Sequence, residues 1–150
     1  MARRKRMKKV LLFLFLISLS LFAQSSRITS IEGLYVDTAD RSVSLDGILI
    51  IYEGNNRFSV GVGGFNVRWD TVLFSLTGRY YSYSDRIECV DYNTMYETYG
   101  YDAEPYRLTI HIINEDYIRV EDNQEYLRSI DQPYPKMDKL IYNGRYEKIQ

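Results

Sequence analysis

The amino-acid sequence predicts an all-β fold, an antiparallel up-and-down meander that closes into a small barrel of about 7–9 strands, preceded by a signal-peptide helix. Three observations support this. From Ile31 onward, apolar and polar residues alternate with a period of two, as in a sheet with one buried and one solvated face. The 15 Tyr and 6 Phe favour strands over helices. Clusters of Gly, Asn and Asp separate the alternating segments, as in successive hairpins.

An export signal comes first along the chain. Six basic residues precede the apolar stretch Val10–Phe22, and the small residue Ala23 follows it, which is the pattern of a secretory signal. These 13 apolar residues would cover about 20 Å as a helix, less than the ~30 Å hydrocarbon core, so a permanent span is disfavoured. An uncleaved N-terminal anchor is the alternative. We therefore predict a signal peptide at 1–23, a polar linker at 24–30 and a single domain at 31–150.

Cleavage would leave an acidic domain outside the cytoplasm. Without the six basic residues of the signal, 13 basic side chains stand against 20 acidic ones, a net charge of −7. Nucleic-acid binding is therefore not expected. No cysteine lies near the end of the apolar stretch, so we expect a periplasmic or secreted protein that is not a lipoprotein and has no stable transmembrane domain after cleavage. Cys89, the single cysteine, cannot form an internal disulfide and is expected to be a small buried residue.

Each predicted strand ends at a turn signal or a glycine pair. The alternating segments, in chain order, are 48–52, 57–62, 65–70, 107–112 and 117–120. The separating signals are Glu53–Asn56, Gly63–Gly64 and Asn114–Asp116. Helical periodicity is poor, and one short helix or turn is expected at Asn123–Ile130, where Tyr126, Leu127 and Ile130 could share a face.

A repeated Gly-x-Tyr motif adds a resemblance to a known family. It occurs at Gly33–Tyr35, Gly78–Tyr80 and Gly144–Tyr146. The order of this motif, the strands and the Gly/Asn turns resembles the small bacterial lipocalin-like, or calycin-type, β-barrel domains over 31–149. The resemblance implies an up-and-down barrel and an exported protein. In physical terms, the glycine allows close approach to a neighbouring strand and the tyrosine two residues on plugs the barrel from the same face.

The chain offers few groups for chemistry. His111, the single histidine, is expected on the polar face of its strand, and no Cys–His pair has metal-ligand spacing. The carboxylate pairs Glu115–Asp116 and Glu121–Asp122 stand in turn-like contexts, where solvation explains them. We therefore predict no catalytic residue, no metal and no cofactor, and we expect that the protein is not an enzyme.

The most unusual segment is the tyrosine-rich, acidic connection 91–105. It has four acidic residues and no basic one, and its length exceeds that of a usual hairpin loop. Tyrosine is typical of recognition loops because it offers a large amphipathic surface with few rotatable bonds. A surface insertion or a further strand pair are the alternatives. The candidate binding residues are Trp69, Tyr92, Tyr96, Tyr99 and Tyr101.

Two functions are compatible with these observations. The first is an exported, non-catalytic binding module for a small apolar or aromatic ligand, held in or at the mouth of the barrel. The second is interaction with, or inhibition of, another exported protein through 91–105, with basic partners favoured by the charge. An outer-membrane barrel is disfavoured because the strands look shorter than the ~9–11 residues of a tilted span. The residues expected to line the interior are Phe58, Val60, Val62, Phe65, Val67 and Trp69.

Overall fold

The computed structural model describes residues 28–37, 45–65, 70–134 and 143–149. The chain divides into two compact units, Met1–Ile31 and Glu32–Gln150. The predicted signal peptide at 1–23 lies outside the described residues, as does most of the predicted linker, of which 28–30 form a helical turn. The second unit contains all the strands of the sheet.

Eight antiparallel strands form a closed barrel in which each strand pairs with the next along the chain and β8 pairs with β1. This confirms the predicted up-and-down meander and its strand number. The strands are β1 (Gly33–Asp37), β2 (Leu45–Gly54), β3 (Arg57–Phe65), β4 (Asp70–Tyr81), β5 (Arg86–Asp91), β6 (Tyr106–Ile112), β7 (Tyr117–Asp122) and β8 (Gly144–Lys148).

The side chains alternate across the sheet as the two-residue period requires. In β6 the buried residues are Tyr106, Leu108, Ile110 and Ile112, while Arg107 between them is exposed. Closing the sheet places the inward positions in one core, and the pairing of β8 with β1 means that none of the described strands stands at the edge of an open sheet.

The two ends of the barrel carry different connections. At the tight-turn end, the connections are 55–56, 82–85 and 113–116. Asn55, Asn56 and Asp85 there have positive φ, which Asn and Asp tolerate better than other side chains. At the long-loop end, the connections are 38–44, 66–69, 92–105 and 123–143, of which the first two lie outside the described residues.

Two short helices lie in the long connections, α1 (Asn93–Tyr99) and α2 (Gln124–Ser129). The predicted helix at Asn123–Ile130 is confirmed as α2, but its buried residues are Gln124 and Leu127, whereas Tyr126 and Ile130 are exposed. The sequence did not predict α1. The connection 91–105 is therefore neither a strand pair nor an irregular insertion.

The glycine pair at Gly63 and Gly64 does not end a strand, which corrects the prediction from the sequence. Strand β3 continues through it to Phe65 with a register shift at Val62/Gly63. Such a shift bends a strand without ending it. The predicted strand at 65–70 lies mostly outside the described residues.

The Gly-x-Tyr motifs place their tyrosines in the core. Tyr35, Tyr80 and Tyr146 are each at most 5% exposed. At Gly78 an added Cβ would lie 2.5 Å from Cγ2 of Ile87 and 2.8 Å from Sγ of Cys89. Only glycine fits there without a shift of β5, which is the close approach expected from the motif.

Three strands are longer than the sequence indicated. The lengths of β2, β3 and β4 are 10, 9 and 12 residues. The described outward positions of β6 and β7 carry charged and polar side chains, including Arg107, Arg119 and Glu121. Within the described residues, none of the helices has the length and apolar character needed to cross a bilayer.

Candidate binding surfaces

The described part of the barrel interior is occupied by the protein's own side chains. Phe58, Val60 and Val62 point inward and are at most 1% exposed, as predicted. Other large side chains that are fully buried include Tyr35 and Tyr146. Val67 and Trp69 lie outside the described residues, and Phe65 is described only as the last residue of β3.

An aromatic cluster lies inside the barrel at the tight-turn end. The ring centroids of Tyr52 and Phe58 are 5.1 Å apart, and those of Phe58 and Tyr80 are 6.4 Å apart with an edge-to-face orientation. The Tyr80 hydroxyl donates a hydrogen bond to Oδ1 of Asp85 in the adjacent turn, at 2.7 Å. All three rings belong to strands, so sheet formation is enough to assemble this cluster.

A second aromatic cluster lies at the long-loop end. Tyr106 and Tyr134 stack with ring centroids 4.4 Å apart, and Phe74 meets both rings edge-on at 6.1 Å. The Tyr134 hydroxyl donates to Oδ2 of Asp91 at 2.6 Å, and the Tyr106 hydroxyl donates to Oδ2 of Asp122 at 3.2 Å. Burial, followed by the neighbouring carboxylates, raises the pKa of both tyrosines above the ordinary value of tyrosine.

The thiol of Cys89 is buried among its neighbours. Its side chain is 1% exposed, and burial raises the pKa of the thiol to about 12. The thiolate is the reactive form of cysteine. The structure thus confirms that Cys89 is a small buried residue.

Helix α1 is fixed to the barrel by one buried side chain and by hydrogen bonds at both of its ends. Met95 is fully buried. The Thr94 amide donates to Oδ1 of Asp91 at 3.0 Å, and the Tyr99 hydroxyl donates to the Pro133 carbonyl at 2.7 Å. Gly100 ends the helix with φ +97°, a conformation that glycine adopts without strain.

The two long connections are also joined to each other. The Glu104 amide donates to Oε1 of Gln132 at 2.9 Å, and Nδ2 of Asn123 donates to the Pro105 carbonyl at 2.9 Å. Together with the Tyr99–Pro133 bond, these contacts join residues 92–105 to residues 123–134 above the second aromatic cluster, and we call these two described segments the platform.

Three tyrosines project from this platform, and we call Tyr92, Tyr96 and Tyr101 the tyrosine surface. Tyr92 is 44% exposed, Tyr96 half-buried and Tyr101 91% exposed. The ring centroids of Tyr92 and Tyr96 are 5.7 Å apart and those of Tyr96 and Tyr101 are 6.2 Å apart. The structure therefore brings together three of the candidate binding residues. Tyr99 instead has an intramolecular bond, and Trp69 lies outside the described residues.

The charge around the tyrosine surface is negative. Glu97 and Asp102 are exposed, and their carboxylates make no hydrogen bond or ion pair within the part of the chain that the structure describes. Asp91 is already bonded to Tyr134 and Thr94. Glu104 lies 3.9 Å from Nε of Arg107. The platform thus presents aromatic rings in tilted contact beside two uncompensated carboxylates.

Of the groups that the sequence offered for chemistry, the structure brings His111 and Glu121 together on the barrel surface. His111 is on the outward face of β6, with Nε2 3.4 Å from Oε2 of Glu121. Glu115 and Asp116 are exposed in the connection between β6 and β7. No group of three or more His, Cys, Asp or Glu side chains capable of holding a metal ion occurs among the residues that the structure describes.

Sequence reasoning missed the contribution of Phe74, Asp91 and Tyr134. Asp91 and Tyr134 are 43 residues apart along the chain. Only the closed sheet and the platform bring them together, so no local spacing could have signalled the contact.

The chain matches no known protein family, and no curated protein matches it in sequence. It is similar to the crystal structure of Tp0751 (pallilysin) from Treponema pallidum, with 7% sequence identity and a TM-score of 0.41. The alignment covers 92% of this chain and 97% of the other.

Proposed function

We propose that the protein is an exported, non-catalytic binding protein of lipocalin-like type that contacts another exported protein through its tyrosine surface. The proposal rests on one observation. The ring of Tyr96 contacts the rings of Tyr92 and Tyr101, and Tyr92 and Tyr101 are exposed on the surface of the platform. Export is the expectation from the basic and apolar pattern at 1–23.

The platform supports the proposal because it lowers the entropic cost of binding. Tyrosines on a mobile loop would lose conformational freedom when a partner bound them. Here Met95 is buried and Tyr99 is bonded to Pro133, so the helix that carries Tyr96 is ordered beforehand. Ring contacts between neighbours further restrict Tyr92 and Tyr101.

The charge favours a partner segment with basic residues. Glu97 and Asp102 lie on the same connection as the rings, and the predicted mature chain carries a net charge of −7. Lys or Arg side chains of a partner could pair with these carboxylates and stack over the tyrosine faces.

A small apolar ligand inside the barrel has less support. An aromatic cluster lies at each end of the described barrel, and the residues expected to line a cavity, among them Phe58 and Val60, are fully buried by their neighbours. A small molecule bound at the mouth of the barrel is the competing function.

Native mass spectrometry of the protein recovered from its own envelope tests the proposal. We expect an adduct with another protein that disappears in the triple variant Tyr92→Ser/Tyr96→Ser/Tyr101→Ser. The adduct should persist in the control variant Tyr83→Ser, because Tyr83 is an exposed tyrosine of the tight-turn end. A co-purifying small molecule would favour the ligand function instead. An adduct that the triple variant retains would place the contact elsewhere and contradict the proposal.

A further inference from the structure

The outer wall of the barrel has a groove that neither the fold nor the proposed function uses. Its volume is about 470 Å³, within the range of about 300–1,000 Å³ of small-molecule sites. It lies across β3, β4 and β5 near the tight-turn end, and its lining includes Arg57, Thr77, Arg79, Tyr81 and Glu88.

Two arginines face each other in this groove. Arg57 on β3 is directly opposite Arg79 on β4, and both are exposed on the outward face. Directly opposed residues on one face of a sheet have Cβ atoms about 4.5–5.5 Å apart, and like charges in that position are destabilising. The two guanidinium groups can therefore converge on one point, but they repel each other when nothing lies between them.

One carboxylate lies beside this pair. Glu88 on β5 is directly opposite Arg79, but it is paired with Nη2 of Arg86 on its own strand. Within the described residues, the guanidinium groups of Arg57 and Arg79 make no hydrogen bond or ion pair. Three arginines against one carboxylate therefore leave an excess of positive charge around this groove of an acidic protein.

An adjoining groove of about 400 Å³ shares Arg57 and Thr77 and ends at Glu53. The Glu53 carboxylate accepts a hydrogen bond from Oγ of Ser59 at 2.8 Å. An anion is therefore favoured at the Arg57–Arg79 pair and disfavoured beyond Arg57, toward Glu53.

We propose that the groove binds a phosphate monoester, with its phosphate between Arg57 and Arg79. A phosphomonoester carries a charge of about −1.5 to −2 at pH 7 and three acceptor oxygens, which matches two guanidinium groups with their planar sets of donors. Thr77 offers a hydroxyl from the same wall, and Tyr81 offers an aromatic face to the esterified group. The groove is larger than a bare phosphate needs, which leaves room for that group.

Titration of the purified protein with phenyl phosphate, followed by amide chemical shifts, tests the assignment. We expect saturable shifts at Arg57, Thr77 and Arg79. In Arg57→Gln and in Arg79→Gln the affinity should fall about tenfold or more, as expected for a lost charge-assisted hydrogen-bond pair. Arg128→Gln, an exposed arginine of α2, is the matched control and should bind like the original protein.

Further probes distinguish a dianionic ligand from a monoanionic one, and a soluble phosphomonoester from a lipid headgroup. Phenyl sulfate, a monoanion of similar shape, should bind about tenfold more weakly than phenyl phosphate. Vesicles of phosphatidylcholine with and without phosphatidic acid show whether the phosphate can belong to a lipid, because a lipid site requires co-sedimentation that depends on both phosphatidic acid and Arg79.

Either a soluble or a vesicle-borne phosphomonoester that binds through both arginines supports the proposal. Absence of saturable binding to both forms would overturn it, as would equal losses of affinity in Arg128→Gln. Equal affinities for phenyl sulfate and phenyl phosphate would overturn the choice of a dianion. Circular dichroism and the unfolding midpoint of each variant establish that it is folded. Because the groove and the tyrosine surface share no residue, a failure to bind phosphomonoesters leaves the proposed function untouched.

Discussion

The two ends of the barrel use aromatic side chains in different ways. At the tight-turn end, Tyr52, Phe58 and Tyr80 all belong to strands. At the long-loop end, the ring of Tyr134 comes from a connection and is held by Asp91, 43 residues away. The first cluster depends only on strand pairing, whereas the second also needs the platform. This fold therefore separates an end that stabilises the sheet from an end that can present a surface.

The largest loss of stability is expected from Phe58→Ala, in the aromatic cluster of the tight-turn end. The side chain is fully buried between Tyr52 and Tyr80. Its removal should cost about 3–5 kcal/mol of unfolding free energy, because it loses both transfer and packing terms. Urea unfolding followed by tyrosine fluorescence measures the loss. A cost below about 1 kcal/mol would mean that the cluster at this end does not stabilise the barrel.

A smaller loss is expected from Tyr134→Phe at the other end. The variant removes only the hydroxyl that donates to Asp91 at 2.6 Å. We expect a cost of about 1–2 kcal/mol, since a hydrogen bond to a carboxylate is worth more than a neutral one. Amide hydrogen exchange should speed up in α1 and α2 and stay unchanged in β2 and β3. Equal acceleration in those strands would contradict a separate platform.

Tyr35 should make the unfolding free energy of the barrel fall at alkaline pH. Burial, followed by the charge of Asp116, raises the pKa of Tyr35 to about 12. Because the pKa of Tyr35 is higher in the folded protein than in the unfolded chain, where it is about 10, the protonated hydroxyl favours folding. This contribution to stability is fully present below about pH 10 and is lost as the pH rises toward 12.

We therefore expect Tyr35→Phe to reduce the loss of unfolding free energy between pH 9 and pH 11 by about 1 kcal/mol. Urea unfolding at the two pH values measures this, with Tyr83→Phe as the exposed control. Identical pH dependence in all three proteins would show that Tyr35 is not responsible.

The smallest effect on stability should come from the tyrosine surface itself. Tyr101 is 91% exposed, so its replacement by serine removes little buried area. Tyr101→Ser should change the unfolding free energy by no more than about 0.5 kcal/mol. A cost several times larger, measured by thermal unfolding, would make Tyr101 part of the scaffold.

The sequence predicted the features that depend on local pattern. Alternation at 57–62 and 107–112 predicted inward Phe58 and Leu108, because a strand has a fixed period and the closed sheet buries one face. Leu127 anchors α2 as predicted, but Tyr126 and Ile130 do not, because two turns of helix bury only a narrow stripe.

The sequence could not predict the features that depend on long-range contact. In α1 the one fully buried residue is Met95, and a single anchor produces no period. Tyr99 looked like its neighbours in the sequence, yet its hydroxyl is bonded to Pro133, 34 residues away. The division of the tyrosines between scaffold and surface therefore emerges only from the fold.

Site-specific photo-crosslinking in cells that express the protein tests whether the tyrosine surface contacts a partner protein. A benzophenone side chain placed at Tyr101 should crosslink to a partner protein, while the same group at Tyr83, 79% exposed at the tight-turn end, should not. The crosslink from position 101 should also disappear when Tyr92 and Tyr96 are replaced by serine. Equal crosslinking from both ends, or from neither, would contradict the assignment of binding to the tyrosine surface.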